Sequence, residues 1–160
     1  DWKNTESDGI SPCASPRGFK KLFGVRIRNL EGPRDLTWLL FSQHLMYLVV
    51  EESSGIEEII NGEKERSIHN EYPHIVAPFR RLKHLKASEV NEIKRTLHPE
   101  VATPFEKMDH LKVSGMNELK MICSNPKDLL PNLREFIVQR CPKMPLSLRD
   151  NRRNGWKGLE

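Results

Sequence analysis

The sequence has few of the features that most often reveal a chemical function. Only 3 of its 160 residues are cysteines, and Cys13, Cys123 and Cys141 are too far apart in the chain to form a C-x-x-C motif. The six histidines show no metal-ligand spacing with these cysteines. The sequence therefore predicts neither a disulfide framework nor a metal site. This use of cysteine favours a reducing, intracellular compartment.

Long apolar runs are also missing. The longest, WLLF at 38–41, is far shorter than the roughly 18 residues that indicate a membrane span. Residue 1 is Asp and no signal peptide is visible, so we interpret the chain as a piece of a longer protein. The net charge of +4, from 26 Lys and Arg against 22 Asp and Glu, is dispersed along the chain. Nucleic-acid binding is therefore not expected.

Motifs for catalysis and nucleotide binding are absent too. The sequence contains no G-x-x-x-x-G-K-[ST] and no G-x-G-x-x-G after a strand. The carboxylate pairs Glu51-Glu52 and Glu57-Glu58 could serve acid–base chemistry, but a solvated strand end and return segment is the preferred interpretation. For Cys141 a buried turn contact is preferred to a nucleophile. We therefore predict that this chain is not an enzyme and holds no cofactor.

What the sequence does contain is an internal repeat of three apolar positions, spaced as in L-x-x-L-x-L. The pattern occurs five times, and its first position falls at Leu22, Leu45, Leu82, Met108 and Leu133. Successive units start 23, 37, 26 and 25 residues apart. This spacing is typical of leucine-rich repeats, in which a short strand is followed by a turn and a return segment.

Stacking of such units predicts an α/β fold, namely a leucine-rich-repeat solenoid. A curved parallel β-sheet would form its concave side, and irregular or short helical return segments its convex side. The predicted strands lie side by side, parallel and in chain order, near residues 25–27, 48–50, 85–87, 111–113 and 136–138. The alternative is an ordinary α/β or helical domain with accidental leucine spacing.

Three stretches fall outside this pattern. Residues 1–18, rich in Ser, Pro, Gly and charge, predict a loop or the end of a preceding repeat. The repeat domain is expected to span 19–148 in about five units, with an inserted polar loop at about 61–77. Residues 149–160 have lost the apolar pattern and are interpreted as a C-terminal tail.

Strand residues that alternate with the buried positions point away from the core and are candidates for partner binding. The candidates are Arg26, Arg28, Tyr47, Val49, Glu51, His84, Lys86, Ser88, His110, Lys112, Ser114, Glu135, Ile137 and Gln139. Among them, Arg26, Lys86 and Lys112 form a basic stripe that favours an acidic protein or peptide. For His84 and His110, which share a column, exposed histidines are preferred to a metal site. The alternative is a solvated sheet that binds nothing.

Several longer motifs occur in a fixed order along the chain. They are LEGPRDLTWLLFSQHLMYLVVEESSGIEEII (30–60), the PF pairs at 78–79 and 104–105, MNELKMI (116–122) and LPNLREFIVQRCPKMPLSL (130–148). In this order they resemble the C-terminal leucine-rich repeats of plant coiled-coil NB-LRR disease-resistance proteins. The resemblance covers most of the chain, about residues 19–148.

The resemblance implies an interaction segment of an intracellular plant immune receptor. Such a segment acts in defence by helping to sense a pathogen effector or a modified host protein, and it restrains a nucleotide switch in cis. ADP or ATP would bind only to a nucleotide-binding module outside this chain. The expected location is the cytoplasm, with peripheral association at the plasma membrane through other regions. The alternative is a leucine-rich-repeat adaptor of another class, such as a substrate receptor of a ubiquitin ligase.

Overall fold

The computed structural model describes residues 21–72, 79–93, 105–122 and 130–146, and the backbone of 151–154. These residues form six strands, one 3-10 helix and one α-helix. In chain order the elements are β1 (Gly24–Arg28), the 3-10 helix (Thr37–Phe41), β2 (Tyr47–Glu51), α1 (Gly62–Glu71), β3 (His84–Ser88), β4 (His110–Ser114), β5 (Glu135–Gln139) and β6 (Asn151–Asn154). Residues 1–18, predicted to be a loop or the end of a preceding repeat, lie outside the described residues, as do residues 73–77 of the loop predicted at about 61–77.

The six strands form one sheet in chain order. Strands β1 to β5 are parallel, and β6 pairs with β5 in the antiparallel direction. The predicted positions, direction and order of the five parallel strands are confirmed. This α/β fold is compatible with a leucine-rich-repeat arrangement, because each unit places one short strand beside the strand of the unit before it.

In-register pairing stacks the repeated apolar residues into two columns that enter the core. The first column is Leu48, Leu85, Leu111 and Phe136, and the second is Val50, Ala87, Val113 and Val138. All eight side chains are at most 2% exposed. Residues two apart on a strand point to the same side, so each unit buries its apolar side against its neighbours. Burial between units therefore stabilises the sheet.

The chain leaves every parallel strand through the same backbone conformation. The residue that follows each strand has a positive φ, and these residues are Asn29, Glu52, Glu89, Gly115 and Arg140. The left-handed conformation turns the chain sharply away from the strand direction. The N–H groups of the first four still donate to a carbonyl at the end of the next strand. The turn and the strand ladder are thus one repeated unit.

Helix α1 occupies most of the segment at about 61–77 that was predicted to be a loop, and that prediction was wrong. The Asn61 side chain caps the helix by accepting a hydrogen bond from the Lys64 N–H at 3.1 Å. Glu63 lies in the first turn, where its negative charge interacts favourably with the positive end of the helix dipole. Ile68 is the apolar residue of the helix that packs against the core, and Gly62 and Glu65 are buried as well. Since the cap rather than an apolar stripe specifies this helix, the polarity of the segment was misleading.

The segment after residue 148 contains a strand that the sequence did not predict. Strand β6 has the sequence NRRN, in which no apolar alternation marks a strand. Its backbone pairs with β5, with Arg152 opposite Ile137, and so covers the edge that β5 would otherwise present. The boundaries predicted at 19 and 148 fall outside the described residues and stay predictions.

In the part of the chain that the structure describes, no helix has the length and apolar character to cross a membrane. Helix α1 has 10 residues, whereas a membrane-spanning helix needs about 20.

Candidate partner-binding face

The residues predicted to bind a partner all lie on β1–β5, at positions that alternate with the apolar columns. We call the surface formed by these side chains the open face. Strand pairing arranges them in three rows: Tyr47, His84, His110 and Glu135; Arg26, Val49, Lys86, Lys112 and Ile137; and Arg28, Glu51, Ser88, Ser114 and Gln139. Glu51 and Ser114 are only 9% and 6% exposed, so these two residues offer little surface to a partner.

The first row begins with three stacked rings. The Tyr47 and His84 rings have centroids 4.8 Å apart and an interplanar angle of 12°. The His84 and His110 rings follow at 4.4 Å and 22°. Because neighbouring strands lie about 4.8 Å apart, in-register pairing alone brings equivalent rings to stacking distance. The structure therefore brings together the two histidines that the sequence placed in one column.

Two carboxylates flank this ring stack, and one of them was not predicted. The His110 Nδ1–H donates to Asp109 Oδ1 at 2.6 Å, and His84 Nε2 lies 3.8 Å from the same oxygen. On the other side, His110 Nε2 lies 3.8 Å from Glu135 Oε2. Asp109 directly precedes β4 and so does not belong to the alternating strand positions. Its proximity to His84 depends on the pairing of β3 with β4.

These surroundings shift two pKa values. Burial lowers the pKa of His84 below its ordinary value; the Asp109 carboxylate opposes this shift, and the charges of His110 and Lys83 add to it. Burial by itself raises the pKa of Asp109. The hydrogen bond and charge of His110, together with the charge of His84, lower it by more, so the net shift of this pKa is downward. At neutral pH the cluster therefore contains an ionised carboxylate beside a neutral His84 imidazole.

A charge cluster centred on Glu51 lies beside the rings. Arg26 donates to Glu51 Oε2 through Nη2 at 2.8 Å and Nε at 3.1 Å. Lys86 Nζ donates to Glu51 Oε1 at 2.7 Å. The hydrogen bond from Lys86, followed by that from Arg26, lowers the pKa of Glu51 from 4.5 to about 2. Glu51 therefore stays ionised and neutralises part of the charge of both cations.

This cluster changes the predicted basic stripe. Arg26 and Lys86 are both paired with Glu51, whereas no salt bridge links Lys112 to any acidic residue in the described ranges. Arg28, at the edge of the face, pairs with Glu52 at 2.7 Å. Arg26 and Lys86 thus share one negative charge, whereas the charge of Lys112 stays open. The sequence alone could not reveal this, because Glu51 is 35 residues from Lys86.

Rings, charges and apolar side chains together line one shallow groove of about 200 Å³ across β2–β5. Its side chains include Tyr47, Val49, His84, Lys86, His110, Lys112, Glu135 and Ile137. Val49 and Ile137 supply apolar area at the two ends of the part of the middle row that lines the groove. A groove of this kind suits an extended segment with apolar side chains and at least one carboxylate.

The buried turns after β2 and β5 contain polar side chains with a structural role. The buried Cys141 donates from Sγ to the Gln139 carbonyl at 3.2 Å. Ser53 does the same with the Glu51 carbonyl at 2.9 Å and accepts from the Leu30 N–H at 3.1 Å. The turn contact predicted for Cys141 is confirmed. Ser53 lies eight residues after Leu45, as Cys141 lies eight after Leu133, and it has an equivalent role.

Comparison with known proteins gives no match to a family model and no match to a solved structure. Curated proteins do match. The chain is 45% identical over 145 residues to Probable disease resistance protein At1g15890 of Arabidopsis thaliana. This match covers 91% of the present chain and 14% of the Arabidopsis protein. The relatives are plant disease resistance proteins.

Other disease resistance proteins of Arabidopsis thaliana match as well. Identity to Probable disease resistance protein At5g43730 is 36% over 144 residues, or 90% of this chain and 14% of that protein. Disease resistance protein RPS5 is 34% identical over 93 residues, or 58% of this chain and 10% of its own length. The chain thus spans about one seventh of the first of these relatives and is homologous to a segment of disease resistance proteins.

Proposed function

We propose that this chain is a leucine-rich-repeat segment of a plant disease resistance protein and acts in defence as a protein-interaction module. The observation that carries the proposal is the identity of 45% over 91% of the chain to a disease resistance protein. Five in-register parallel strands support the repeat assignment, because a solenoid adds one strand per unit in chain order.

The assignment to the end of the repeat region is also a proposal. It is supported by β6, which runs antiparallel to β5. A solenoid of this type grows by adding parallel strands, so a reversed strand interrupts that growth on the side of β5. We propose that β5 belongs to the last regular unit.

The open face is the proposed binding surface, and its partner is proposed to be a pathogen effector or a modified host protein. Support comes from the groove across β2–β5 and from the charge of Lys112. Because Glu51 already compensates part of the charge of Arg26 and Lys86, the partner needs an apolar surface with a local carboxylate rather than a broadly acidic one.

A second role is proposed within the full-length protein. The same face would restrain a nucleotide-binding module in the resting state, and a difference in affinity between resting and active states would bias the switch. The chain itself would not be catalytic, and ADP or ATP would bind to that other module. The proposed location is the cytoplasm, with peripheral membrane association through other regions.

A charge reversal on the open face tests this proposal. Lys112→Glu and the control Lys120→Glu would be made in the 160-residue chain; Lys120 is equally a lysine of the fourth unit but lies after the strand, at an exposed position. Each variant is co-expressed in leaf cells with the remainder of the same full-length protein. Co-precipitation should fall roughly tenfold or more for Lys112→Glu, since like charges then meet, and should not change for Lys120→Glu.

The same pair of variants, placed in the full-length protein, gives a second readout. Loss of restraint should appear as cell death in leaf tissue without a pathogen for Lys112→Glu only. If the two variants behave alike in both assays, the open face is not the interaction surface.

A further inference from the structure

Three potential ligand atoms meet on the open face between β3 and β4. They are a ring nitrogen of His84, a carboxylate oxygen of Asp109 and a ring nitrogen of His110, and all lie within 4.8 Å of one another. His84 pairs directly with His110 in the sheet, so the backbone holds this arrangement in place. Two imidazoles and one carboxylate are ligands that divalent transition metals accept.

The distances are close to those that a metal ion needs. Ligand atoms about 2.0–2.1 Å from a tetrahedral Zn²⁺ lie about 3.4 Å from one another. The separation between His84 Nε2 and Asp109 Oδ1 is 3.8 Å. The separation between His110 Nδ1 and Asp109 Oδ1 is 2.6 Å, because a proton now bridges the two atoms. A metal ion replaces that proton, and the pair opens by less than about 1 Å.

The rings must also rotate. Their planes are only 22° from parallel, whereas the ring nitrogens of two ligands converge on one ion. Rotation about the bond between Cβ and the imidazole is soft. The His84 and His110 side chains are 38% and 41% exposed, so both rings can turn towards solvent, and the turn of His84 replaces its stacking on Tyr47.

The surrounding charges are mixed, since Lys83 and Lys112 disfavour a cation while two carboxylates favour one. Glu51 holds Lys86, the lysine two residues after His84, at 2.7 Å. Glu135 lies 3.8 Å from His110 Nε2, on the side of the ring away from Asp109. A carboxylate at the second nitrogen of a histidine orients the ring and makes it a better ligand.

We propose that His84, Asp109 and His110 form a binding site for one divalent transition-metal ion, with Zn²⁺ as the best-suited ion. Three protein ligands leave a fourth position open towards the groove, as in zinc sites that exchange ligands. When the metal is bound and no partner is present, water fills this position. This proposal concerns metal binding by the chain alone, so its test does not depend on the proposed role in defence.

Titration with Co²⁺ tests the proposal, because this ion adopts zinc geometries and reports its ligands by colour. The 160-residue chain, freed of metal with a chelator, should bind one equivalent with visible bands typical of nitrogen and oxygen ligands. Thiolate ligation would add an intense near-ultraviolet band. That band distinguishes the site from Cys13, Cys123 and Cys141, and its appearance at one equivalent would overturn the proposal.

Matched variants assign the ligands. His84→Gln combined with His110→Gln should abolish the visible bands, whereas His69→Gln on the exposed surface of α1 should leave them unchanged. Glu135→Gln should weaken Co²⁺ binding about tenfold without abolishing it. Bands that persist in the double variant would overturn the proposal.

A measurement on the unsubstituted chain covers the case in which the double variant does not fold. Zn²⁺ should shift the imidazole NMR signals of two of the six histidines at one equivalent. If it shifts none of them, no metal site exists on this face.

Discussion

The first two units of the sheet bury more polar side chains than the last three units. Of the seven polar or charged residues that are buried in the described ranges, six lie between residues 35 and 65 and one lies downstream. They are Asp35, Thr37, Ser42, Glu51, Ser53 and Glu65 upstream, and Ser114 downstream. Both regions bury apolar side chains, and the upstream region differs by also burying most of the polar ones.

Two positions that are equivalent in all units hold serine in the second unit and an apolar residue downstream. The position three residues before the first apolar residue of a unit is Ser42 in the second unit and Phe79 and Phe105 in the next two. The two phenylalanine rings stack with centroids 6.1 Å apart. Ser53 occupies the column of Val90 and Met116, both fully buried. Downstream units therefore hold together by area removed from water. Upstream units bury apolar side chains too, among them Leu45, Leu48 and Ile56, and they add directional bonds that fail when one partner is lost.

Hydrogen bonds link the upstream 3-10 helix to α1. The buried Asp35 accepts from the Thr37 N–H at 3.0 Å and from Lys64 Nζ at 2.6 Å. The Thr37 hydroxyl accepts from the Asn61 N–H at 2.9 Å, next to the cap of the helix. These bonds connect the start of α1 to the 3-10 helix.

The largest effect should come from the downstream apolar column. Phe136→Ala is expected to lower the free energy of unfolding by about 3–5 kcal/mol, because it leaves a cavity at a position that is 1% exposed. Val25→Ala, in the same column of the first strand, should cost about 1 kcal/mol or less, since Val25 is only partly buried. Urea unfolding of both variants measures the difference, and equal losses would contradict the contrast.

A smaller loss is expected when the upstream hydrogen bonds are broken. Asp35→Ala should cost about 1–3 kcal/mol, because the Thr37 N–H is left without its acceptor. Asp35→Asn should cost less, as it keeps a carbonyl oxygen for that N–H. The control Glu57→Ala removes only the exposed pair with Arg34 at 3.7 Å and should cost about 0.5 kcal/mol or less. The same urea assay compares the three variants, and a loss for Glu57→Ala as large as for Asp35→Ala would refute the role of these bonds.

The charge cluster on β2 should appear as a pH dependence. The pKa of Glu51 is lowered from 4.5 to about 2 in the folded chain. Its stabilising contribution is therefore present in full above pH 4.5 and is lost as the pH falls towards 2. The wild type should exceed Glu51→Gln in urea midpoint at pH 7, and this gap should narrow between pH 4.5 and pH 3. A gap that is constant with pH would mean that the carboxylate is not held by Arg26 and Lys86.

The smallest effect separates two buried serines of the upstream region. The Ser42 hydroxyl is buried without a hydrogen-bond partner among the described residues, so Ser42→Ala should change the stability by less than about 0.5 kcal/mol or raise it slightly. Ser53→Ala should cost about 1 kcal/mol, because the Ser53 hydroxyl bonds to two backbone groups. Thermal unfolding ranks the two variants, and the reverse order would rule out this explanation.

Prediction from sequence succeeded where a residue type repeats and its effect is local. The positions of Leu111 and Phe136 specified the strands, and Cys141 specified a buried turn, since each follows from the period of the units. It failed for α1, where the signal is the cap at Asn61 rather than an apolar period. It also missed β6, because pairing of its backbone with β5 leaves no pattern in the residues NRRN.

The open face shows the same division. Alternation along the strands predicted which residues lie on it, because successive side chains of a strand point to opposite sides. It could not predict which charges are already neutralised. The pairing of Lys86 with Glu51, and the position of Asp109 between His84 and His110, depend on residues about 25–35 positions apart.

The sequence by itself therefore determined the order of the strands, the apolar columns and the rows of side chains that a partner can reach. These features follow from a period that each unit repeats. Only the tertiary structure decided that Lys112 is left as the open charge of the middle row and that two histidines and a carboxylate converge. The physical reason is that the field at a side chain, and the ligands available to an ion, depend on the distance to groups from neighbouring units.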